Sequence, residues 1–205
     1  MTTDAICTRR RLLGGSLALF GAAALGPEAF AATEPKAADL AAIARSELQR
    51  VGRAVRTTDV VGVVDFSNPS RTPRFHLVDM ASGKVDSLLV AHGRGSDPGH
   101  SGWVKSFSNA FGSNCSSDGA YVTGSYYTGQ HGRSMNLHGL DPSNNNAEAR
   151  RIVVHSAAYV SPAFARERGV LGRSEGCFAV ASSDLDKVLT RLGPGRLLVA
   201  RKLTA

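Results

Sequence analysis

The first pattern along the chain is a helical one, between residues 37 and 56. Apolar residues recur there three or four positions apart, with arginine and glutamate between them. This spacing predicts an amphipathic α-helix of about five turns. The apolar positions are Leu40, Ile43, Ala44, Leu48, Val51 and Val55. Because the apolar side is narrow and rich in alanine, we expect the helix to pack on the domain that follows it in the chain rather than on a membrane.

From residue 60 onwards the pattern changes to short β-like runs separated by Gly, Ser, Asn and Pro. Eight runs are predicted as strands, at residues 60–66, 74–80, 88–92, 120–124, 134–140, 151–155, 177–181 and 196–200. A short C-terminal helix is predicted over residues 184–192, where Ser183 can cap the start and Gly193-Pro194 stops the end. Many short strands with few helices favour a mostly β fold, a β-sandwich or partly closed barrel.

A long polar stretch interrupts the strands between residues 93 and 118. It holds nine Ser and Asn residues and is too loop-like to form core. Long loops in compact domains are commonly functional. We therefore expect this stretch to form the wall of a site.

The first 31 residues have the pattern of a cleaved export signal. A Thr8-Arg9-Arg10-Arg11 region precedes an apolar run that ends at Leu25, and Ala29-Phe30-Ala31 forms a cleavage site. The run is short for a bilayer crossing, which needs about 20 residues, and an uncleaved N-terminal anchor is the alternative. We expect a twin-arginine-type signal at residues 1–31, a helical segment at 32–59 and one domain at 60–205. The protein is then periplasmic, without a transmembrane segment after cleavage.

Charge and histidine spacing exclude several classes of partner. The formal net charge is +7, which suits a protein that meets anionic cell-wall or lipid components. Basic residues are dispersed without interleaved aromatics, so nucleic acid is not an expected partner. The histidines are scattered, and Gly93-Arg94-Gly95-Ser96 lacks the lysine of a phosphate loop, so neither a metal nor another cofactor is expected. The sequence leaves the oligomeric state open.

Two segments carry the candidate chemistry: the turn Ser174-Glu175-Gly176-Cys177 and the apolar run that ends in His155. A thiolate attacks acyl groups, and a neighbouring imidazole can generate it. Because the two residues lie 22 positions apart, they meet only if the fold returns the chain, as two adjacent strands would. Two alternatives stay open. Cys177 is an inert buried cysteine, or it forms a disulfide with Cys115, since exported thiols commonly pair.

The residues around these positions resemble the L,D-transpeptidase catalytic domain, in the divergent type 2 branch of the YkuD-like family. Six segments match in the family's order and cover most of the chain from residue 60: Val90-Ala91-His92-Gly93-Arg94-Gly95-Ser96, Phe107-Ser108-Asn109, Ser116-Ser117-Asp118-Gly119, Leu137-His138-Gly139-Leu140, Ile152-Val153-Val154-His155 and Gly172-Arg173-Ser174. The resemblance implies a mostly β catalytic domain at 60–205, with Cys177 as nucleophile and His155 as general base. Ser174 and Gly176 belong to the catalytic turn, whose backbone N–H groups are expected to stabilise an oxyanion.

Further site residues are expected around this pair. The resemblance places His138 near the site, where it would orient substrate or His155. Arg173 adjoins the nucleophile turn and is expected to hold a substrate carboxylate in a forked pair. Ser108 and Asn109 are expected substrate contacts. His92 is assigned to the scaffold.

Two residues depart from the family pattern. Glu175 stands where an aromatic residue or histidine is more common, and Phe178 follows the cysteine in place of Pro, Arg or Asn. A carboxylate at Glu175 would raise the pKa of the thiol unless it turns outward or pairs with a cation such as Arg173. Turned outward, it is expected to recognise an ammonium group of the substrate.

The resemblance implies a peptidoglycan L,D-transpeptidase. Cys177 would open a donor stem peptide at an L-centre carbonyl, form a thioester, and pass the acyl group to a diaminopimelate amine on a neighbouring stem. Peptidoglycan stem peptides are then the expected partners. Two alternatives remain: an L,D-carboxypeptidase or endopeptidase that uses water as acceptor, and a non-catalytic cell-wall-binding β-domain, which the charge of Glu175 beside Cys177 would suit.

Overall fold

The computed structural model describes residues 36–203, which form a mostly β domain with three α-helices. The helices are α1 (Ala37–Val51), α2 (Pro162–Arg168) and α3 (Leu185–Arg191). The strands are β1 (Val60–Asp65), β2 (Phe75–Asp79), β3 (Val85–Leu88), β4 (Gly119–Gly129), β5 (Gly132–Gly139), β6 (Val153–Ser156), β7 (Phe178–Val180) and β8 (Leu197–Arg201). The predicted fold class is confirmed.

The strands lie in one mixed sheet in the order β3-β2-β1-β8-β4-β5-β6-β7, and the sheet does not close into a barrel. Most neighbours are antiparallel, but β1 pairs with β8, and β6 with β7, in parallel. Beyond β3 the chain approaches the opposite edge of the sheet, where Val90 and Gly93 form isolated bridges with Val180 and Ser174. The chain therefore passes from the edge strand β3 to the opposite edge of the sheet, where residues 90–93 lie beside β7.

Alternating side chains divide the core between the two faces of the sheet. In β1, Val61 and Val63 face the side that α1 covers, whereas Val60 and Val64 face the larger core. This is the period-2 alternation of a strand. The larger core also contains Phe178 and residues of α3, so it lies directly beneath the strand that follows Cys177.

Helix α1 packs on β1, β2 and β8 through Leu40, Ala41 and Ala44. Its buried Glu47 forms ion pairs with Arg50 and with Arg201 of β8. The helix ends at Val51, five residues earlier than the pattern predicts, because Gly52 adopts a φ of +54° and a short 3-10 turn follows. Among residues 36–203, no helix combines the length and the apolar character that a bilayer crossing requires.

The structure corrects several boundaries. Regular pairing of β3 covers Val85–Leu88 rather than 88–92, and β4 extends to Gly129, where a tight connection leads into β5. Helix α2 was not predicted. At the start of α3, Asp184 and not Ser183 is the N-cap residue, and its side chain makes no capping hydrogen bond. The predicted export signal lies outside the described residues.

Candidate active site

The parallel pair β6–β7 brings Cys177 and His155 to one cavity. In this pair His155 lies opposite Ala179, and Cys177 precedes β7 by one residue. Alternate side chains of a strand point to the same face, so Cys177, two residues before Ala179, lies on the same face of the sheet as Ala179. His155 lies opposite Ala179, so Cys177 is a near neighbour of His155 across the two strands. Both residues are buried and line a cavity of about 490 Å³. The crossover through α2 is therefore what returns the chain to the histidine.

The Cys177 sulfur rests as a thiol. Its Sγ lies 3.5 Å from the backbone oxygen of Arg151, to which the S–H donates. Burial raises the pKa of Cys177, and the charge of Glu175 acts in the same direction, whereas a hydrogen bond from the Val153 backbone and the charge of Arg150 lower it. Burial is the largest of these effects, so forming the thiolate requires a base.

His155 is suited to act as that base. Its Nδ1 lies 2.9 Å from the backbone oxygen of Ser156. A carbonyl oxygen only accepts, so Nδ1 carries the proton and Nε2 is left as an acceptor. Burial lowers the pKa of His155, the hydrogen bond to Ser156 partly opposes this, and the nearby His131 lowers the pKa further. The two imidazole rings stack with centroids 4.4 Å apart at 20°. The ring is therefore neutral near pH 7, and a carbonyl rather than a carboxylate orients it.

The nucleophile turn is held by the hydroxyl of Ser174. Its Oγ donates to the backbone oxygen of Cys177 at 2.7 Å and accepts from the N–H of Gly176 at 3.1 Å. The Gly176 N–H is thus already used within the turn and is not an open oxyanion donor. Gly176 has a φ of +118°, and a Cβ at this position would lie 2.6 Å from the backbone oxygen of Cys115. Only glycine fits this approach without displacement.

The turn is also anchored by a buried polar network on the side away from the cavity. Backbone pairing joins Ser174 to His92, whose carbonyl accepts from the Ser174 N–H at 2.9 Å. His92 is fully buried, with Nδ1 2.7 Å from Arg74 and Nε2 3.3 Å from Asp97. Burial and the charge of Arg74 lower the pKa of His92 to about 3. His92 is therefore a neutral part of the scaffold.

Arg150 is a site residue that the sequence interpretation missed. Its guanidinium lines the cavity and donates to the backbone oxygens of Ser108 at 2.8 Å and Cys115 at 2.7 Å. It also donates to the hydroxyls of Ser117 at 2.6 Å and Ser113 at 3.2 Å. Arg150 thus fixes residues 108–117 of the polar stretch to the site through four hydrogen bonds. The only sequence signal was its position, a few residues before an apolar run that ends in histidine.

Two predicted residues lie on the rim of the cavity. Arg173 lines it while donating to the backbone oxygens of Asp97 and Pro98. Glu175 also lines it and points outward, with 70% of its side chain exposed. Glu175 forms an ion pair at 2.9 Å with Arg94 and not with Arg173.

Three other predicted residues lie away from this cavity. His138 pairs with Glu148 at 2.9 Å and lines a separate cleft. Asn109 donates to the backbone oxygen of Pro142 and to Asn145. Ser108 contributes its backbone oxygen to Arg150. The structure therefore brings Cys177, His155, Ser174, Arg173 and Glu175 together in one cavity, but not His138, Ser108 or Asn109.

Cys115 and Cys177 are both buried and both free. The thiol of Cys115 lies 3.5 Å from the backbone oxygen of Ser113, and that of Cys177 faces Arg151. The two sulfurs are therefore not joined in this structure. In the part of the chain from 36 to 203, no three His, Cys, Asp or Glu side chains are grouped so as to hold a metal ion.

The architecture and the cavity together define a mostly β domain with a buried thiol and a neutral imidazole in one cleft. Residues 32–200 match the L,D-transpeptidase catalytic domain family of the YkuD type, and the chain belongs to that family. No curated protein matches the chain.

Solved L,D-transpeptidase structures are similar to this fold at low identity. An L,D-transpeptidase from Mycobacterium tuberculosis H37Rv has 16% identity and a TM-score of 0.45, with 70% of this chain and 58% of that chain covered. One from Mycobacterium smegmatis has 13% identity and a TM-score of 0.41, with the same 70% and 58% covered. One from Stackebrandtia nassauensis has 15% identity and a TM-score of 0.40, with 75% and 63% covered. The chain spans about three fifths of the length of these proteins.

Proposed function

We propose that the protein is an exported peptidoglycan L,D-transpeptidase, which cross-links stem peptides by acyl transfer through a thioester on Cys177. The observation that carries the proposal is the shared cavity of Cys177 and His155, in which Nδ1 of the histidine is held by the Ser156 carbonyl and Nε2 is left to accept a proton. Membership of the L,D-transpeptidase catalytic domain family supplies the substrate class. Residues 1–31 would direct export to the periplasm by the twin-arginine route and be removed.

In the first half-reaction, Nε2 of His155 takes the proton of the Cys177 thiol. The thiolate then attacks the carbonyl carbon at an L-centre of the donor stem peptide, and the resulting oxyanion needs hydrogen-bond donors. When the tetrahedral intermediate collapses, the C–N bond breaks and His155 returns the proton to the departing amine. The products are a thioester on Cys177 and the released residue.

In the second half-reaction, the side-chain amine of a diaminopimelate on another stem attacks the thioester. His155 accepts the proton of that amine, a new amide bond forms, and the Cys177 sulfur leaves and recovers the proton. If water attacked instead, the same steps would give a carboxypeptidase or endopeptidase. The rim residues Arg173 and Glu175 would contact the charged groups of the two peptides.

The test is to incubate the purified protein with isolated muropeptides and identify the products by mass spectrometry. Wild-type protein is expected to form cross-linked dimers. Cys177→Ala and Cys177→Ser are expected to form none, because a serine hydroxyl is far less acidic and the Ser156 carbonyl, not a carboxylate, orients His155. His155→Ala should lose activity by roughly 10²–10⁴-fold, as is typical when a general base is removed.

The matched control is Cys115→Ala, which removes the other buried thiol outside the cavity and should leave turnover intact. Trimmed monomers without dimers would identify the hydrolytic alternative. Binding to cell wall without any product would identify the non-catalytic one. Turnover by Cys177→Ala at the wild-type rate would refute the mechanism.

A further inference from the structure

Arg150 presents a physical problem that its hydrogen bonds alone do not explain. It is a half-buried cation, and burial lowers its pKa from the usual value. Buried charges are normally paired with an opposite charge because desolvation is costly. Yet the four acceptors of Arg150 are two backbone oxygens and two hydroxyls. Within residues 36–203 no carboxylate forms an ion pair with it, so its positive charge is not neutralised locally.

The other cations around the cavity differ from Arg150 in their pairing, their hydrogen bonds or their exposure. Arg94 is paired with Glu175. Arg173, like Arg150, forms no ion pair among residues 36–203, but it donates to the carbonyls of Asp97 and Pro98 and not to the loop carbonyl that faces Gly176. Arg151 is exposed, and solvent screens such a charge. Among residues 36–203, Arg150 is therefore the half-buried, unpaired cation of the cavity that four hydrogen bonds hold close to the nucleophile turn.

The space around Gly176 shows how near Arg150 lies to the nucleophile turn. A Cβ at Gly176 would lie 3.3 Å from Nη2 of Arg150, and the same nitrogen donates to the Cys115 carbonyl that packs on this glycine. The guanidinium thus lies close to Gly176, the residue immediately before Cys177. The remaining charged and titratable groups that line the cavity are His131, Arg151, His155, Tyr159, Arg173 and Glu175.

We propose that Arg150 is a positioning residue of the active site, which locks the 108–117 loop onto the nucleophile turn and provides the fixed positive charge that stabilises the Cys177 thiolate. The proposal rests on the proposed role of Cys177 as nucleophile. A fixed positive charge is useful in this cavity, because burial disfavours both the thiolate of Cys177 and the imidazolium of His155, and Glu175 adds a negative charge. A cation in the wall of the same cavity offsets part of that cost without a proton transfer.

The experiment measures the rate at which iodoacetamide alkylates Cys177 between pH 6 and pH 10, with site-resolved mass spectrometry and thermal unfolding in parallel. Alkylation requires the thiolate but no peptide substrate, so the result is independent of whether the protein forms cross-links. Arg150→Met is expected to shift the alkylation profile to higher pH and slow alkylation at pH 7 by about tenfold, the effect of losing a nearby opposite charge. Arg150→Lys keeps a charge but not the forked hydrogen bonds, and should recover most of the rate at pH 7.

The matched control is Arg151→Met, which removes the adjacent, exposed cation of the same cavity and should change the alkylation profile little. If Arg150→Met loses its fold, Arg150→Gln keeps two hydrogen-bond donors and tests the charge alone. A purely structural role predicts that Arg150→Lys and Arg150→Met both lower the unfolding temperature while the profile of Cys177 stays at wild type. That outcome, or an equal shift in Arg151→Met, would overturn the proposal.

Discussion

The substitution Gly176→Ala tests how tightly the nucleophile turn is packed against the loop that faces it. At a φ of +118°, a residue with a side chain carries a backbone cost of about 1–3 kcal/mol. The added methyl group would lie 2.6 Å from the backbone oxygen of Cys115 and 2.7 Å from Cδ1 of Ile152. The isoleucine side chain can rotate, but Arg150 holds the carbonyl at 2.7 Å. Overpacking of this kind costs a further 1–3 kcal/mol or so, which gives a total of about 2–6 kcal/mol.

The assay is urea unfolding, from which the free energy of unfolding is extrapolated to water. The matched control is Gly83→Ala, because Gly83 has a φ of +70° but no atom within 4 Å of the added Cβ. The control should lose about 1 kcal/mol from backbone strain alone. Gly176→Ala should lose at least about twice as much. Acylation of Cys177 should also slow by roughly 10²-fold, since displaced turn residues misplace the sulfur. Equal losses of stability in the two variants, with unchanged acylation, would refute this reading of the turn.

Two further predictions concern the thiols and the buried histidine. Thiol titration of protein purified from the periplasm and unfolded without reductant is expected to find Cys115 and Cys177 both free, and a count of none would establish a disulfide between them. Because the pKa of His92 is about 3 in the folded protein and about 6.5 when unfolded, its contribution to stability is present above pH 6.5 and is lost as pH falls towards 3. In urea unfolding at pH 7, 5 and 4, the free energy of unfolding of the wild type should therefore fall more steeply than that of His92→Gln, with a difference of about 2–4 kcal/mol by pH 4. Parallel pH dependences in the two proteins would contradict this prediction.

The parts of the fold that sequence reasoning predicted are those where one pattern dominates. Helix α1 follows a clear helical periodicity, the strands β1, β2 and β8 are short runs of mostly apolar residues, and all of them contribute to a buried core. The predicted position of β3 was wrong because apolar and polar residues are mixed in Val85–Leu88, which lies at a partly exposed edge of the sheet. Helix α2 was missed although Ser161 accepts from the Phe164 N–H, Pro162 begins the helix and Gly169 ends it. Those three residues were sufficient signals.

The residues of the site also fall into those that the sequence predicted and those that it did not. Cys177 and His155 were singled out because their residue types carry recognisable chemistry. Their meeting depends on the parallel register of β6 and β7, which no local pattern specifies. Arg150 could not be distinguished from the other dispersed arginines, because its role depends on acceptors 33 to 42 positions away. The pairing of Glu175 with Arg94 was missed for a similar reason, since the bridge between Gly93 and Ser174 sets it.

The two isolated bridges beside β7 have a consequence for the order in which the domain assembles. Ala91 donates to the carbonyl of Ala179, and Ser174 donates to that of His92, so the edge that carries the nucleophile is covered by chain from the first half of the sequence. Contacts between such distant segments close long loops, and they form late and slowly during folding. A fragment that begins after residue 95 would therefore contain Cys177, His155 and Arg150 but would leave the β7 edge open to other strands. The thiol would acquire its environment only when both halves of the chain have docked.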